Sequence, residues 1–335
     1  MVQSDHLKAL LRAHSVNDDE AFREAAESLI ELEDRKGHRL LARDLEQSLE
    51  QPFNGRSPAM PRPRMRQDLP TDEERGLPLA DIQHSSFGLE RSVLADGATK
   101  TLRALSEDYG AREIFASFGL EPKRRVLFFG PPGCGKTITA RALAGELGLP
   151  LLYVRFDSLI SSYLGQTAAN LRKLFDFANR SRWVVLFDEF DALGRSRDDP
   201  GEHGELKRVI NSILQLMDGF RGDSLLIAAT NHEQALDPAL WRRFDEIVKF
   251  EAPEEMNRLS LLSHFLSGVK HSGADLRRLA SDTEGLTGSD LEQVAIEATK
   301  QMILARRKTV SLDDLMFGLK RQRNRMALAQ ASEAE

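Results

Sequence analysis

The chain has 335 residues, 41% of them hydrophobic and 29% charged, which fits about two compact domains with connecting segments and enough apolar side chain for a core. Its formal net charge of −6 argues against a chain held on nucleic acid by overall charge. Cys134 is the single cysteine, so no intramolecular disulfide can form, and no apolar run approaches the roughly 18 residues of a membrane span. Met1-Val2-Gln3-Ser4-Asp5 lacks the basic start and apolar run of a secretory signal, so a soluble, cytoplasmic protein is expected, with no membrane insertion.

From residue 4 to about 50 the chain is polar and free of proline. Leu7, Leu10, Leu11, Phe22, Ala26, Leu29, Ile30, Leu40, Leu41, Leu45 and Leu49 recur at helical spacing, with Asn17-Asp18 as an N-cap region and Gly37 as a stop. Residues 1–50 therefore read as a small all-helical domain. Over 51–81 the character changes. Pro52, Pro58, Pro61, Pro63, Pro70 and Pro78 remove backbone donors, and Arg56, Arg62, Arg64 and Arg66 add local charge, as in an extended basic linker.

Beyond residue 82 short apolar runs alternate with helical patterns. Arg125–Phe129, Leu151–Phe156, Trp183–Phe187, Ser224–Ala229 and Ile247–Phe250 are continuously rather than alternately hydrophobic, which predicts strands buried on both faces of a parallel sheet. After Pro253 the strand signal stops and helical periods run to Leu319. Residues 82–252 thus form an α/β unit, 253–320 a helical one, and 321–335 a polar tail expected to fray.

Gly130-Pro131-Pro132-Gly133-Cys134-Gly135-Lys136-Thr137 lies between a strand and a helix and has the Walker A pattern. Glycines let consecutive backbone N–H groups curl around phosphate oxygens, and the helix offers its positive end. Lys136 is placed to reach the outer phosphates, and the Thr137 hydroxyl to ligate Mg²⁺. The run Val184-Val185-Leu186-Phe187-Asp188-Glu189 ends a strand in two carboxylates at the edge where open α/β sheets bind ligands. Asp188 is the expected second Mg²⁺ partner, and Glu189 the group that polarises the attacking water. Together the two motifs predict ATP hydrolysis, with ATP and Mg²⁺ as the bound species. Pro131, Pro132, Gly133, Cys134, Gly135, Lys136, Thr137, Ile138 and Asp188 make up the expected binding set.

These motifs, with Ala228-Ala229-Thr230-Asn231 and Leu236-Asp237-Pro238 before Arg242-Arg243-Phe244, follow one another over about residues 90–320 in an order that resembles ATPases of the classical AAA clade. The resemblance implies a P-loop fold with a parallel five-stranded sheet flanked by helices, a helical lid, and a homo-oligomeric ring of six. It implies that Asn231 orients the lytic water, and that Arg242 and Arg243 act as arginine fingers on the neighbouring subunit's ATP. It further implies that Gly288 and Ser289, in Gly285-Leu286-Thr287-Gly288-Ser289-Asp290, approach the nucleotide from the lid. His264 sits one residue away from the position of an adenine-contacting histidine in some relatives, and is read as a packed lid residue.

Ser161-Ser162-Tyr163-Leu164-Gly165 resembles a pore loop whose aromatic grips a threaded polypeptide; from the residues alone, Tyr163 could equally pack in the core. His203-Gly204-Glu205 resembles a second pore loop, and Asp218-Gly219-Phe220 an inter-subunit signalling motif. A protein substrate is therefore expected. Two alternatives stand beside it: a nucleotide-gated regulator of one partner, and a DNA- or RNA-directed machine using Arg62, Arg64, Arg66, Arg321, Arg323 and Arg325. The N-terminal helices with a single ATPase module are also similar to bacterial AAA proteins encoded beside a subtilisin-like serine peptidase, which implies a peptidase as partner.

Overall fold

The computed structural model describes residues 69–72, 75–159, 164–190, 209–210, 212–231 and 241–333, together with Ser28. The helices expected over 4–50 and the Arg-rich part of the linker lie outside these residues.

A six-stranded sheet organises the α/β unit. Its strands are β1 (Ala80–Gln83), β2 (Arg125–Phe129), β3 (Leu151–Val154), β4 (Val184–Phe187), β5 (Leu225–Thr230) and β6 (Glu246–Lys249), in the order β1-β3-β4-β5-β2-β6. The five strands β2 to β6 are parallel, as their continuous apolar runs predict, and each lies within about two residues of its expected bounds. Both faces are covered. Leu127, Leu152, Val185, Phe187, Leu226 and Ala228 enter one core, while Val126, Phe128, Leu151, Val184, Leu186, Ile227 and Ala229 enter the other. Alternate residues thus go to opposite faces, yet none meets water.

The sixth strand departs from expectation. Part of the linker expected over 51–81 instead joins the sheet: Pro70 and Asp72 bond back to Leu79 and Leu77, and Ala80–Gln83 adds β1 antiparallel to β3. Leu79 N–H donates to Pro70 O at 2.8 Å, and Asp72 N–H to Leu77 O at 2.9 Å. Buried Asp72 accepts from Gln166 Nε2 and Asn170 Nδ2, both at 3.2 Å. The two prolines sit where no ladder donor is required, so they do not prevent pairing.

Helices α1 (Asp96–Gly110), α2 (Arg112–Ser117), α3 (Lys136–Glu146), α4 (Phe156–Leu159) and α5 (Leu164–Ala178) accompany the sheet. The lid comprises α6 (Glu255–Phe265), α7 (Gly273–Asp282), α8 (Gly288–Leu304) and α9 (Leu312–Glu333), around a core that includes Leu262, Leu279, Leu291, Val294, Leu315 and Leu319. The expected fraying from residue 321 is corrected here: α9 runs to Glu333. Several of its polar residues bond to the rest of the lid, as Arg323 NH2 does to Asp282 O at 2.6 Å. Among the described residues, no helix is long and apolar enough to cross a membrane.

Charges tie β2 to β6 at their N-terminal ends. Arg125 NH2 meets Asp245 Oδ1 at 2.6 Å, and the Arg124 and Arg125 N–H groups donate to Asp245 Oδ2 at 3.0 and 2.9 Å. Burial acts to raise the Asp245 carboxyl, but the Arg125 guanidinium and these two N–H groups outweigh it and hold the carboxyl below the usual range. A depressed carboxylate contributes stability above its unfolded-chain pKa, and that stability is lost as pH falls through the folded value. Asp245→Asn is therefore expected to lower unfolding free energy in urea by about 1–2 kcal/mol at pH 7. The difference should shrink below about pH 4, and a gap that stays constant down to pH 3 would show that charge is not its source.

Candidate nucleotide site

At the C-terminal edge of β2 the chain enters the loop of residues 130–135. Gly130, at φ 139°, passes so close to β6 that a Cβ there would collide with the Phe250 carbonyl. At Gly133, φ 77°, a Cβ would collide with the Ser289 and Thr287 hydroxyl oxygens of the lid. Only glycine combines these backbone angles with such close approach. The loop's curl directs the first, unpaired N–H groups of α3 outward, a natural seat for phosphate oxygens.

Lys136 is only 7% exposed. Its Nζ donates to Gly130 O at 2.7 Å and Pro131 O at 2.9 Å, so the ammonium lies within the curl of the loop. One residue on, Thr137 Oγ1 donates to Asp188 Oδ2 at 2.6 Å across the gap between α3 and β4. This juxtaposes two hard oxygen donors. Magnesium is commonly held by one or two protein oxygens plus substrate phosphates, and the pair fits that habit. Glu189 follows at φ 51°, left-handed for a residue with a side chain, and is exposed to the cleft. Such strain recurs where a catalytic side chain must be aimed.

Because β4, β5 and β2 are neighbours, their C-terminal ends bring Asp188-Glu189, Asn231 and the phosphate loop to one edge. They line a cleft of about 460 Å³ with Pro132, Gly133, Cys134, Gly135, Lys136, Thr137 and Ile138, and with Gly288 and Ser289 from the lid. The lid touches the loop directly, Ser289 N–H donating to Gly133 O at 3.2 Å. Burial pushes the Cys134 thiol up, with Asp290 adding to the shift and Lys136 opposing it; the group stays protonated at neutral pH and acts as a small filler.

Sequence reasoning missed the opposite wall. Val93, Leu94, Ala95 and Ala98 precede or open α1, and they face Leu261 and Phe265 of the lid across an apolar slot. Asn257 Nδ2 ties the two sides by donating to Leu94 O at 3.2 Å. No motif marks this segment, because much of what it offers is backbone and small apolar side chain. His264 was read as packed; it is instead exposed and lines the same cleft. It lies in the last turn of α6.

Arg242 and Arg243 are not in this cleft. They lie in the turn before β6, and Arg243 is anchored through Asp218 to Arg125, at the opposite end of β2 from the phosphate loop. Arg243 NH1 is paired with Asp218 Oδ2, and Asp218 Oδ1 also accepts from Arg125 NH1 at 3.2 Å. Tyr163 and His203 lie outside the described residues, and Leu164 opens α5.

Family models for the "ATPase family associated with various cellular activities (AAA)" and for the "AAA+ lid domain" match residues 126–252 and 273–317. An "Uncharacterized AAA family ATPase y4kL" of Sinorhizobium fredii is 38% identical over 98% of this chain and 97% of its own length. A proteasome-activating nucleotidase of Pyrococcus horikoshii is 39% identical over 61% of this chain, which spans 53% of that relative. Among solved structures, the AAA domain of FIGL-1 aligns with TM-score 0.61 at 25% identity, covering 76% of this chain and 92% of that one. The same domain in complex with ADP aligns at TM-score 0.60 and 26% identity, over 72% of this chain and 86% of that one. With a relative matched from end to end, and models meeting both the phosphate-loop unit and its lid, the chain belongs to the AAA ATPase family.

Proposed function

We propose that the protein is a ring-forming ATPase, with the expected hexamer as its assembly, that couples hydrolysis to remodelling of a protein substrate. The observation that carries this is the position of Arg242 and Arg243. Neither lines the cleft of its own chain, Arg243 being anchored at the far end of β2 from the phosphate loop, and the cleft holds no other arginine than Arg91 among its described lining residues. A neighbour that presents these residues to the cleft would add an arginine to the outer phosphates. Such a contribution is worth about 10³–10⁵ in rate in other nucleotide hydrolases.

Within the site, the loop N–H groups and Lys136 bind the phosphates. Thr137 and Asp188 would hold Mg²⁺, which supplies charge neutralisation on the phosphate oxygens. Glu189 accepts the proton of the attacking water, and Asn231 orients that water. The apolar slot between Leu94 and Leu261 suits the base. A protein substrate is favoured by the relatives: proteasome-activating nucleotidases, and the ATP-dependent zinc metalloprotease FtsH 1 of Thermomicrobium roseum, 38% identical over 68% of this chain and 36% of its own length. Tyr163, Leu164 and His203 are the proposed pore residues. A nucleic-acid role is less favoured: Arg321 pairs with Glu297, Arg323 bonds Asp282 O and Arg325 bonds Gln293, so this cluster is committed to the lid.

Lys136→Ala is expected to abolish nucleotide binding. Glu189→Gln should bind ATP but hydrolyse it roughly 10²-fold or more slowly. Isothermal titration and phosphate release check both, and ordinary turnover by Glu189→Gln would remove the water-activating role. For the shared site, Arg242→Ala/Arg243→Ala subunits and Lys136→Ala subunits should each be inactive alone but recover hydrolysis when mixed. Inactivity at every mixing ratio would count against fingers acting between subunits.

A further inference from the structure

The lid reaches the phosphate loop through a short segment, and that segment is itself held by the middle of α9. Thr287 caps α8: its N–H and its hydroxyl both donate to Asp290 Oδ2, at 2.8 and 2.7 Å. The other carboxylate oxygen, Asp290 Oδ1, accepts from Gln322 Nε2 at 2.8 Å. Between Thr287 and Asp290 lie Gly288 and Ser289, and it is Ser289 N–H that bonds Gly133 O. Gln322 is 8% exposed, lies beyond the matched lid segment that ends at residue 317, and belongs to the stretch that reads as polar tail in the sequence.

We propose that Gln322 is a positioning residue for bound nucleotide, acting through Asp290 and the Gly288-Ser289 turn on the phosphate loop at Gly133. The inference rests on the reading of the cleft as an ATP site. An aspartate carboxylate has two oxygens, and here one fastens the helix cap while the other fastens α9. Removing the amide leaves Asp290 free to turn away from Thr287. The cap then loosens, and Ser289 no longer has a fixed place against Gly133. The segment touches the loop rather than the reacting atoms, so its effect falls equally on ground and transition states. Affinity should change and the chemical step should not.

The test uses the full chain with three substitutions. Gln322→Met keeps volume and burial but deletes the donor. Gln322→Glu keeps shape and sets a second carboxylate against Asp290. Arg323→Ala removes the adjacent α9 anchor to Asp282 O without touching Asp290. For Gln322→Met, KM for ATP and Kd for ADP are expected to rise roughly three- to tenfold with kcat nearly unchanged. Gln322→Glu should be worse, and Arg323→Ala should keep the wild-type KM. A wild-type KM in Gln322→Met overturns the proposal, as does an equal rise in Arg323→Ala, which would mean that α9 docking in general is responsible. Wild-type protein that binds no nucleotide would instead overturn the reading of the cleft itself.

Discussion

The phosphate loop is the joint on which this molecule depends. It is gripped from two sides with no room for a side chain: the Phe250 carbonyl after β6 presses on Gly130, and the Thr287 and Ser289 hydroxyls at the cap of α8 press on Gly133. Any ligand that fills the curl of the loop therefore bears on both the sheet and the lid. The loop is also rigid where it must be, because Lys136 is bonded to two of its carbonyls and Thr137 to Asp188. A preorganised cradle of this kind binds charge without first having to reorganise, which is where most electrostatic catalysis originates.

How much of this was legible in the sequence follows from what kind of signal each part leaves. The parallel strands were readable because burial on both faces demands an unbroken apolar run, and Leu225–Thr230 with Val184–Phe187 supply it. The edge strand β1 was not, because Ala80-Asp81-Ile82-Gln83 alternates and follows a proline, a pattern shared by strands and by linkers. The residues of α9 beyond 320 were read as frayed tail for a similar reason. Gln322 and Arg323 are polar, and sequence does not reveal that their polarity is spent on Asp290 and on the Asp282 carbonyl.

In the site the division is sharper. Lys136, Thr137, Asp188 and Glu189 stand out in the sequence by their side-chain chemistry and Asn231 by the family resemblance, and the sheet's connectivity sets all five at one edge. Val93, Leu94 and Ala95 were missed because a wall made of backbone and small apolar groups has no required residue identity. His264 was misplaced for want of the helix phase: one residue along an α-helix is about 100° of rotation, which separates a packed face from a cleft-facing one.

One strand links the two ends of the proposed catalytic arrangement. β2 carries the phosphate loop at its C-terminal end, and at its N-terminal end Arg125 shares Asp218 with Arg243 and holds Asp245 two residues beyond it. A five-residue strand bonded on both sides to parallel neighbours does not bend easily. The place of Arg243 relative to its own chain's phosphate loop is thereby tied to the sheet through Asp218 and Arg125. Around a ring, such a fixed spacing would pass a movement at one cleft to the next without needing a flexible element between them. The Asp218 carboxylate would then govern the second arginine: while it is engaged, Arg243 is held in its own chain, and exposed Arg242 is the side chain free to extend across an interface.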